Sequence, residues 1–457
     1  MDEAARTSLA AAVGVNILSL ALLLRWGRSR GEPYCSVTIV ATFVLGMEFV
    51  LRPLAIFVSE QTGWDPTTVR QVNSGDSSSI VFASVQSVVG VTLFCVAMVV
   101  GACLFAGVDG SSDMSRFRSA SSAVSKKPVL TLYTWLLSVT LAVTLLVGLR
   151  YGNFGDALAG TFGRSQLDSG YIYSLVNVAP LAVLLVLHDA PKAQLTRGPL
   201  RTGLILVSAA SGCVYLLILG GRVEFLTLSI AAIVLMRGRF GRPAVGALVI
   251  GALTLTLASG VYRVVTREAL YAENIGTPPS ALVSRSLSDP LSLITRGDVS
   301  AFDKMTRIHA SSIRTISSTY EAALRAPLPG RVEGYAGEGG SRTFTRLYLP
   351  DRYLRSATYE GVSLPGEAMM NLGPWTAGLP LALAGLALGS LTRFRRRRLG
   401  FMSLALGTGL LPTLLRADAF NTVALASSLS LALAFVVFVG KVFTFPEARS
   451  TQKLFVE

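Results

Sequence analysis

Residues 201–237 read RTGLILVSAASGCVYLLILGGRVEFLTLSIAAIVLMR, and whether they cross a bilayer once or twice decides the fold. A helix needs about 20 apolar residues to cross a hydrocarbon core of about 30 Å. The apolar part, 202–236, is long for one crossing and short for two. Gly220-Gly221-Arg222 interrupts it at the centre, where a glycine pair permits a tight turn. Backbone freed there is tolerable if it lines a wet cavity. Two short helices hinged at the glycines, with Arg222 near one membrane face, are the reading that agrees with the charge pattern of the rest of the chain.

That pattern alternates apolar runs with short basic blocks. Runs of spanning character occur at 8–24, 37–58, 80–106, 129–149, 171–188, 202–220, 223–236, 244–262, 367–390, 400–415 and 421–440. Twenty-one Lys and Arg follow odd-numbered runs, among them Arg25, Arg28 and Arg30 after the first, Arg237, Arg239 and Arg242 after the seventh, and Arg393, Arg395, Arg396, Arg397 and Arg398 after the ninth. The short segments of opposite parity hold only Arg6, Arg70, Arg150, Arg164, Arg222 and Arg416. Basic residues collect in cytoplasmic loops, so the N-terminus is expected outside and the C-terminus in the cytoplasm. A single crossing at 202–236 would invert every later block.

The expected fold is therefore an all-α polytopic membrane protein of the plasma membrane, with about 11 transmembrane helices and one large extracytoplasmic loop. Helices one to eight occupy 1–262, the loop 263–366, and helices nine to eleven with a cytoplasmic tail 367–457. Hydrophobic residues make up 51% of the chain and charged residues 15%, against about 25% charge in a soluble protein. The net charge of +14 is distributed as a topology signal, which argues against a nucleic-acid partner. The four cysteines, Cys35, Cys95, Cys103 and Cys213, lie in or beside apolar runs and suggest neither a disulfide framework nor a metal site. The first run is followed by arginines rather than a small-residue cleavage site, so no cleaved signal is expected.

The loop is too polar to be lipid-embedded and too long to be a connector. Within it, 298–326 reads as an amphipathic helix with Phe302, Met305, Ile308, Ile313 and Ile316 on its apolar side. Gly334–Ser341 reads as a flexible tip.

Several residues can carry chemistry. Glu48 and Arg52 stand at i, i+4 spacing inside the second run and are expected to pair. Intramembrane charges face a bundle interior or a cavity, so the pair is either structural or part of a substrate groove. Arg150, Arg164, Arg222, Arg263, Arg267 and Arg416 fall at outer ends of runs, where the topology rule disfavours them. A guanidinium holds phosphate with a planar fork and keeps its charge, whereas the bland alternative is snorkelling. His309, within RIHASSIR, is a candidate general base or an ordinary structural histidine. His188 sits at the inner end of the fifth run. Glu268, Glu273, Glu360, Glu367 and Asp418 are carboxylate alternatives for the base.

The stretch SLPGEAMMNLGPWTAGLPLALAGLALGSL at 363–391 resembles the late segment of bacterial O-antigen and oligosaccharide repeat-unit polymerases, at Pro365, Glu367, Asn371, Gly373 and Gly385. Weaker echoes are Arg52-Pro53-Leu54, the Gly220 to Arg222 step, and RADAF at 416–420. The resemblance covers most of the chain in architecture and about 40 residues in motif. It implies a membrane-embedded, GT-C-type glycosyltransferase that needs no metal or other cofactor. Donor and acceptor would both be oligosaccharides on undecaprenyl diphosphate. It implies diphosphate contacts from Arg222, Arg267 and Arg416, with Arg164 as a further candidate. His309 and then Glu367 are the candidate bases, and Glu48, Arg52, Asp418 and Asn371 would support them. Membrane lipids and a chain-length regulator are the other expected partners. An O-antigen-ligase-type transferase, with a different acceptor, and a lipid or polysaccharide transporter are the alternatives.

Overall fold

A computed structural model of the chain describes residues 1–30, 36–62, 77–104, 177–189, 222–236, 246–247, 249–251, 254, 301–315, 318–326, 339–348, 350, 361–392 and 398–444. Every regular element among them is a helix. In chain order these are α1 (Glu3–Ser29), α2 (Val37–Gly46), a π-helical turn (Met47–Leu51), α3 (Arg52–Thr62), α4 (Ser77–Leu104), α5 (Val178–Asp189), α6 (Arg222–Met236), α7 (Ala301–Ser311), α8 (Ser318–Arg325), α9 (Gly340–Tyr348), α10 (Leu364–Leu372), α11 (Gly378–Leu391), α12 (Arg398–Gly409), α13 (Leu411–Arg416) and α14 (Ala419–Thr444).

Five stretches among the described residues are long and apolar enough to cross a membrane: Glu3–Ser29, Val37–Ser59, Ser77–Leu104, Pro374–Leu391 and Ala419–Phe438. Their outward faces are apolar. Val85, Val89, Leu93, Val96, Val100 and Leu104 form an exposed stripe down α4, and Val15, Leu18 and Leu22 another on α1. A helix apolar on its exposed face as well as its buried one belongs in lipid. The chain is a helical, membrane-embedded protein.

The residues divide into two compact units, 1–107 with 229–424, and 108–228 with 425–457. In the second unit, Asn177 Nδ2 donates to Ser428 Oγ at 3.0 Å. The first unit holds the features developed below.

Its frame is set by α1, the kinked helix α2–α3, α4 and α11. Asp2 caps α1 by accepting from the Ala5 N–H at 2.8 Å. The far end of α1 carries Arg25, Arg28 and Arg30. The α1 and α4 helices run parallel, with Asp2 beside Ser77, Asn16 beside Ser87 and Ser19 beside Thr92. The α2 helix returns between them, with Thr38 against Gly27 and Gly46 against Leu20.

The α11 helix also runs parallel to α4. Gly378 lies against Gly90, Gly385 against Phe94 and Gly389 against Met98. The glycines bring the two backbones together. A Cβ on Gly385 or Gly389 would overlap the carbonyl oxygen of Phe94 or Met98 respectively. Small residues at such contacts are how helices gain packing energy in lipid, where burial of apolar surface contributes little.

Four expectations are corrected. The run at 367–390 is not one helix: α10 ends at Gly373, whose φ of 117° is open to glycine, and the crossing begins at Pro374. Glu367 therefore lies before the crossing. The run at 400–415 is two short helices, α12 and α13, with Pro412 in the first turn of the second. The amphipathic helix at 298–326 is broken into α7 and α8. Ser312 takes a positive φ of 51°, and the Thr315 N–H goes to the Met370 carbonyl at 2.9 Å instead of continuing a helix. The end of the expected flexible tip is docked, because Gly340 and Ser341 open α9. The runs at 129–149 and 202–220 lie outside the described residues.

Candidate functional site

The site grows from an irregularity in the second crossing. The π-helical turn at Met47–Leu51 inserts extra backbone and breaks the simple helical register between Glu48 and Arg52. Asn16, midway along α1, donates through Nδ2 to the Phe49 carbonyl at 3.0 Å and so satisfies backbone displaced by the turn. Glu48 and Arg52 then take partners from distant segments rather than serving chiefly as a local pair. Arg52 Nε donates to Asp303 at 3.1 Å to Oδ1 and 2.9 Å to Oδ2. Glu48 Oε1 accepts from Arg416 Nε at 3.0 Å, and Oε2 from the Ala301 N–H at 3.1 Å.

Those partners show what α7 is. Its first residues, Ala301, Phe302, Asp303, Lys304, Met305 and Thr306, are buried on every side of the helix. One end meets Glu48, at the depth of Asn16, and the other meets Ser79 at the start of α4. The helix thus descends into the bundle from the end opposite Arg25, Arg28 and Arg30. Phe302, Met305 and Ile308 are buried as their spacing predicts, but the polar side faces helices, not water. Lys304 and Arg307 on that side lie over the rings of Phe344 and Tyr348 of α9, at 5.1 and 6.0 Å.

A second cluster ties the start of α9, α10 and the start of α14 together. Asp418 caps α14 by accepting from the Asn421 N–H at 2.8 Å, and its other oxygen accepts from the Ser341 N–H at 2.6 Å. Glu367 Oε2 accepts from the Ala419 N–H at 2.5 Å. Each carboxylate thus serves the N-terminus of a helix, where N–H groups lack partners and the dipole favours negative charge. Gly340 packs so closely that an added Cβ would stand 2.6 Å from Glu367 Oε1. Asn371 accepts a short hydrogen bond from the Thr315 hydroxyl and donates to Thr319 Oγ at 2.5 Å.

Glu367 is fully buried, and its Oε1 has no hydrogen-bond partner among the described residues. Burial, and then the neighbouring Asp418 charge, push its carboxyl up from 4.5 to about 7, against the pull of the Ala419 N–H. Between those values the folded protein holds a proton that the unfolded chain has released. The resulting stabilisation, on the order of 3 kcal/mol, is present below pH 4.5 and lost as pH rises through 7. The thermal midpoint in detergent should therefore fall between pH 5 and pH 8, and Glu367→Gln should flatten that fall. Equal slopes in the two proteins would assign the dependence to another group.

His309 lies in a third cluster. Its Nδ1 is 2.9 Å from Ser79 Oγ, and its ring stacks on Phe82 at 4.1 Å. Trp375, largely exposed, meets the Phe82 ring edge-on at 5.1 Å. The stack on Phe82 sets the imidazole plane and the Ser79 hydroxyl holds Nδ1.

Of the residues selected from sequence, the structure joins Glu48 to Arg416, places Arg52 on the same helix, and gathers Glu367, Asp418 and Asn371 around α10. Arg222 opens α6 in the other unit's sequence. Arg150, Arg164, Arg263, Arg267, Glu268, Glu273 and Glu360 lie outside the described residues. Asp303 was missed. The signal for it was Arg52 itself, since a buried guanidinium demands a carboxylate and Glu48 had been assigned that part. No protein-family model, curated protein or solved structure matches the chain.

Proposed function

We propose that the protein polymerises oligosaccharide repeat units carried on undecaprenyl diphosphate, on the outer face of the plasma membrane. The supporting observation is convergence. Of the positions read from the second crossing, the motif after the loop and the last turn, Glu48 and Arg52 bond to α7, Asp418 to α9, Asn371 to Thr315 and to Thr319 of α8, while Arg416 joins Glu48 and Glu367 holds the first N–H of α14. Chain direction agrees with the span count. For α4 and α11 to run parallel, an odd number of crossings must separate them, and two crossings within 202–236 make that number five.

In this reading a hydroxyl of the acceptor's terminal sugar attacks the anomeric carbon of the donor chain. The new glycosidic bond forms as the bond to the lipid diphosphate breaks, and the hydroxyl proton passes to a base. Arg416 stabilises the charge gained by the leaving diphosphate. Its side chain is 19% exposed against 5% for Glu48, so it is the accessible member of that pair. Arg222 and Arg267, with Arg164, stay candidates for diphosphate contact on the resemblance alone. His309 is the base, because it lies half-buried near the start of α4 with its ring held by Ser79 and Phe82. Glu367 can serve only after the segment at Gly340 lifts away.

The test is reconstitution in liposomes with a defined lipid-linked repeat unit. A ladder of longer glycans, with release of lipid diphosphate, is the expected product. His309→Gln should lower turnover by about 10²–10⁴-fold. An unchanged rate would take His309 out of the mechanism. The descending helix α7 also suits a transporter, in which half-helices end near the midplane. Flux of the lipid-linked substrate with no new glycosidic bond would select that reading. In cells, loss of the gene should leave single repeat units on the carrier. Full-length lipid-linked polymer that is never transferred would identify a ligase.

A further inference from the structure

Glu48 stands where three segments distant in sequence meet. Its two carboxylate oxygens are divided, one to Arg416 before the last crossing and the other to the first N–H of α7. The π-helical turn aims the carboxylate at this junction, and Asn16 braces the turn from α1. We infer that Glu48 is a positioning residue that makes the orientation of the Arg416 guanidinium conditional on the docking of α7.

The physical case rests on the cost of a buried anion. An ionised carboxylate at this depth is stable only while charged or polar donors surround it. If α7 withdraws, Oε2 loses the Ala301 N–H. The carboxylate must then turn toward another donor, and the Arg416 guanidinium held by Oε1 turns with it. If Arg416 is lost, the buried charge keeps a neutral donor but loses its cation, and the carboxylate is drawn toward water. The first turn of α7 then loosens. Coupling of this kind acts equally in both directions. Arg52 anchors the same helix through Asp303, so α7 can loosen at its first turn without leaving the bundle.

The inference takes its functional meaning from the diphosphate role proposed for Arg416, but its test does not use activity. Amide hydrogen exchange is measured on the full-length protein in lipid nanodiscs, for wild type, Glu48→Gln, Arg416→Gln and the double variant. Glutamine at 48 offers one acceptor oxygen to two donors. Loss of a charge-assisted hydrogen bond should raise exchange across residues 301–306 about tenfold. Arg416→Gln should raise exchange in that same segment, and the double variant should exceed neither single change. The amides of α1 between Ala12 and Leu20 report whether the bundle itself is intact. Should they lose protection in Arg416→Gln, Arg416→Lys is used, for which a smaller rise at 301–306 is expected. Wild-type exchange at 301–306 in an Arg416 variant, or effects that multiply in the double variant, would overturn the inference. Either result stands whether or not the protein makes polymer.

Discussion

On the proposed polymerase reading, Arg416→Ala is expected to abolish chain extension while leaving the protein in the membrane. Two losses combine. The first is the catalytic loss that the proposal implies: a guanidinium set against a leaving diphosphate would act where charge develops, and removing one such donor costs about 10²–10³-fold in rate. The second is structural. Glu48 stays buried with its cation gone, and breaking a buried pair by deleting one partner costs about 3–5 kcal/mol, at the lower end here because Arg416 is partly exposed. The two are separable. Glu48→Gln with Arg416→Gln replaces the ion pair by two amides and restores much of the stability. If polymer returns in that double variant, Arg416 is structural and the diphosphate assignment fails. Arg416→Lys keeps the charge without the planar fork, and should fold normally with a turnover at least about tenfold below wild type. Wild-type chain lengths in Arg416→Ala would refute both parts.

Gly389→Val prevents accumulation of folded protein. Its Cβ would overlap the Met98 carbonyl oxygen and stand 2.9 Å from the Ala102 nitrogen. Both are backbone atoms of α4, so no rotamer change relieves the overlap and the helices must separate. Separation also opens the contacts at Gly385, Gly378 and Gly90 along the same seam. Overpacking typically costs about 1–3 kcal/mol where side chains can move, and here they cannot. The measurable result is loss of the monodisperse peak after detergent extraction, or a thermal midpoint lowered by about 10 °C or more. Gly14→Ala is the matched control. Nothing lies within 4 Å of a Cβ at Gly14, on the exposed face of α1. Alanine there should be neutral or stabilising by about 0.5–1 kcal/mol. Equal behaviour of the two variants would mean that the α4–α11 seam does not hold the bundle.

The crossings at the N-terminus and the last one were legible in the sequence because lipid leaves few choices. A run such as Ser77–Leu104 has to be a helix, since no other single segment satisfies its own backbone in hydrocarbon. The descent of α7 was not legible. Asp303, Lys304 and Arg307 give it the composition of a water-facing helix, and periodicity separates polar from apolar faces without saying what the polar face meets. Its partners come from Arg52, Glu48 and the rings of α9, all remote in sequence. The Glu48–Arg52 expectation failed for a different reason. Each side chain finds its partner in a remote segment, Arg416 for Glu48 and Asp303 for Arg52, and nothing in MEFVL announces those contacts or the π-helical turn. The break before α11 was readable after all, because Gly373-Pro374 is a turn signal inside an otherwise helical motif. In the candidate site, residue types proved more legible than partners. Arg416, Glu367 and Asp418 stood out as charges near apolar runs, but the N–H groups of Ala301, Ser341 and Ala419 that hold the carboxylates have no side-chain signature.

The parallel seam between α4 and α11 also sets a schedule for biosynthesis. Gly385 meets Phe94 across nearly three hundred residues of intervening chain. At about 5–20 residues per second, a quarter of a minute to a minute of translation separates the two helices. Throughout that interval α4 lacks the α11 partner of its glycine face. The first three crossings can meanwhile be joined through Asn16, whose bonds to Phe49 and Ser87 are available as soon as α4 has been inserted.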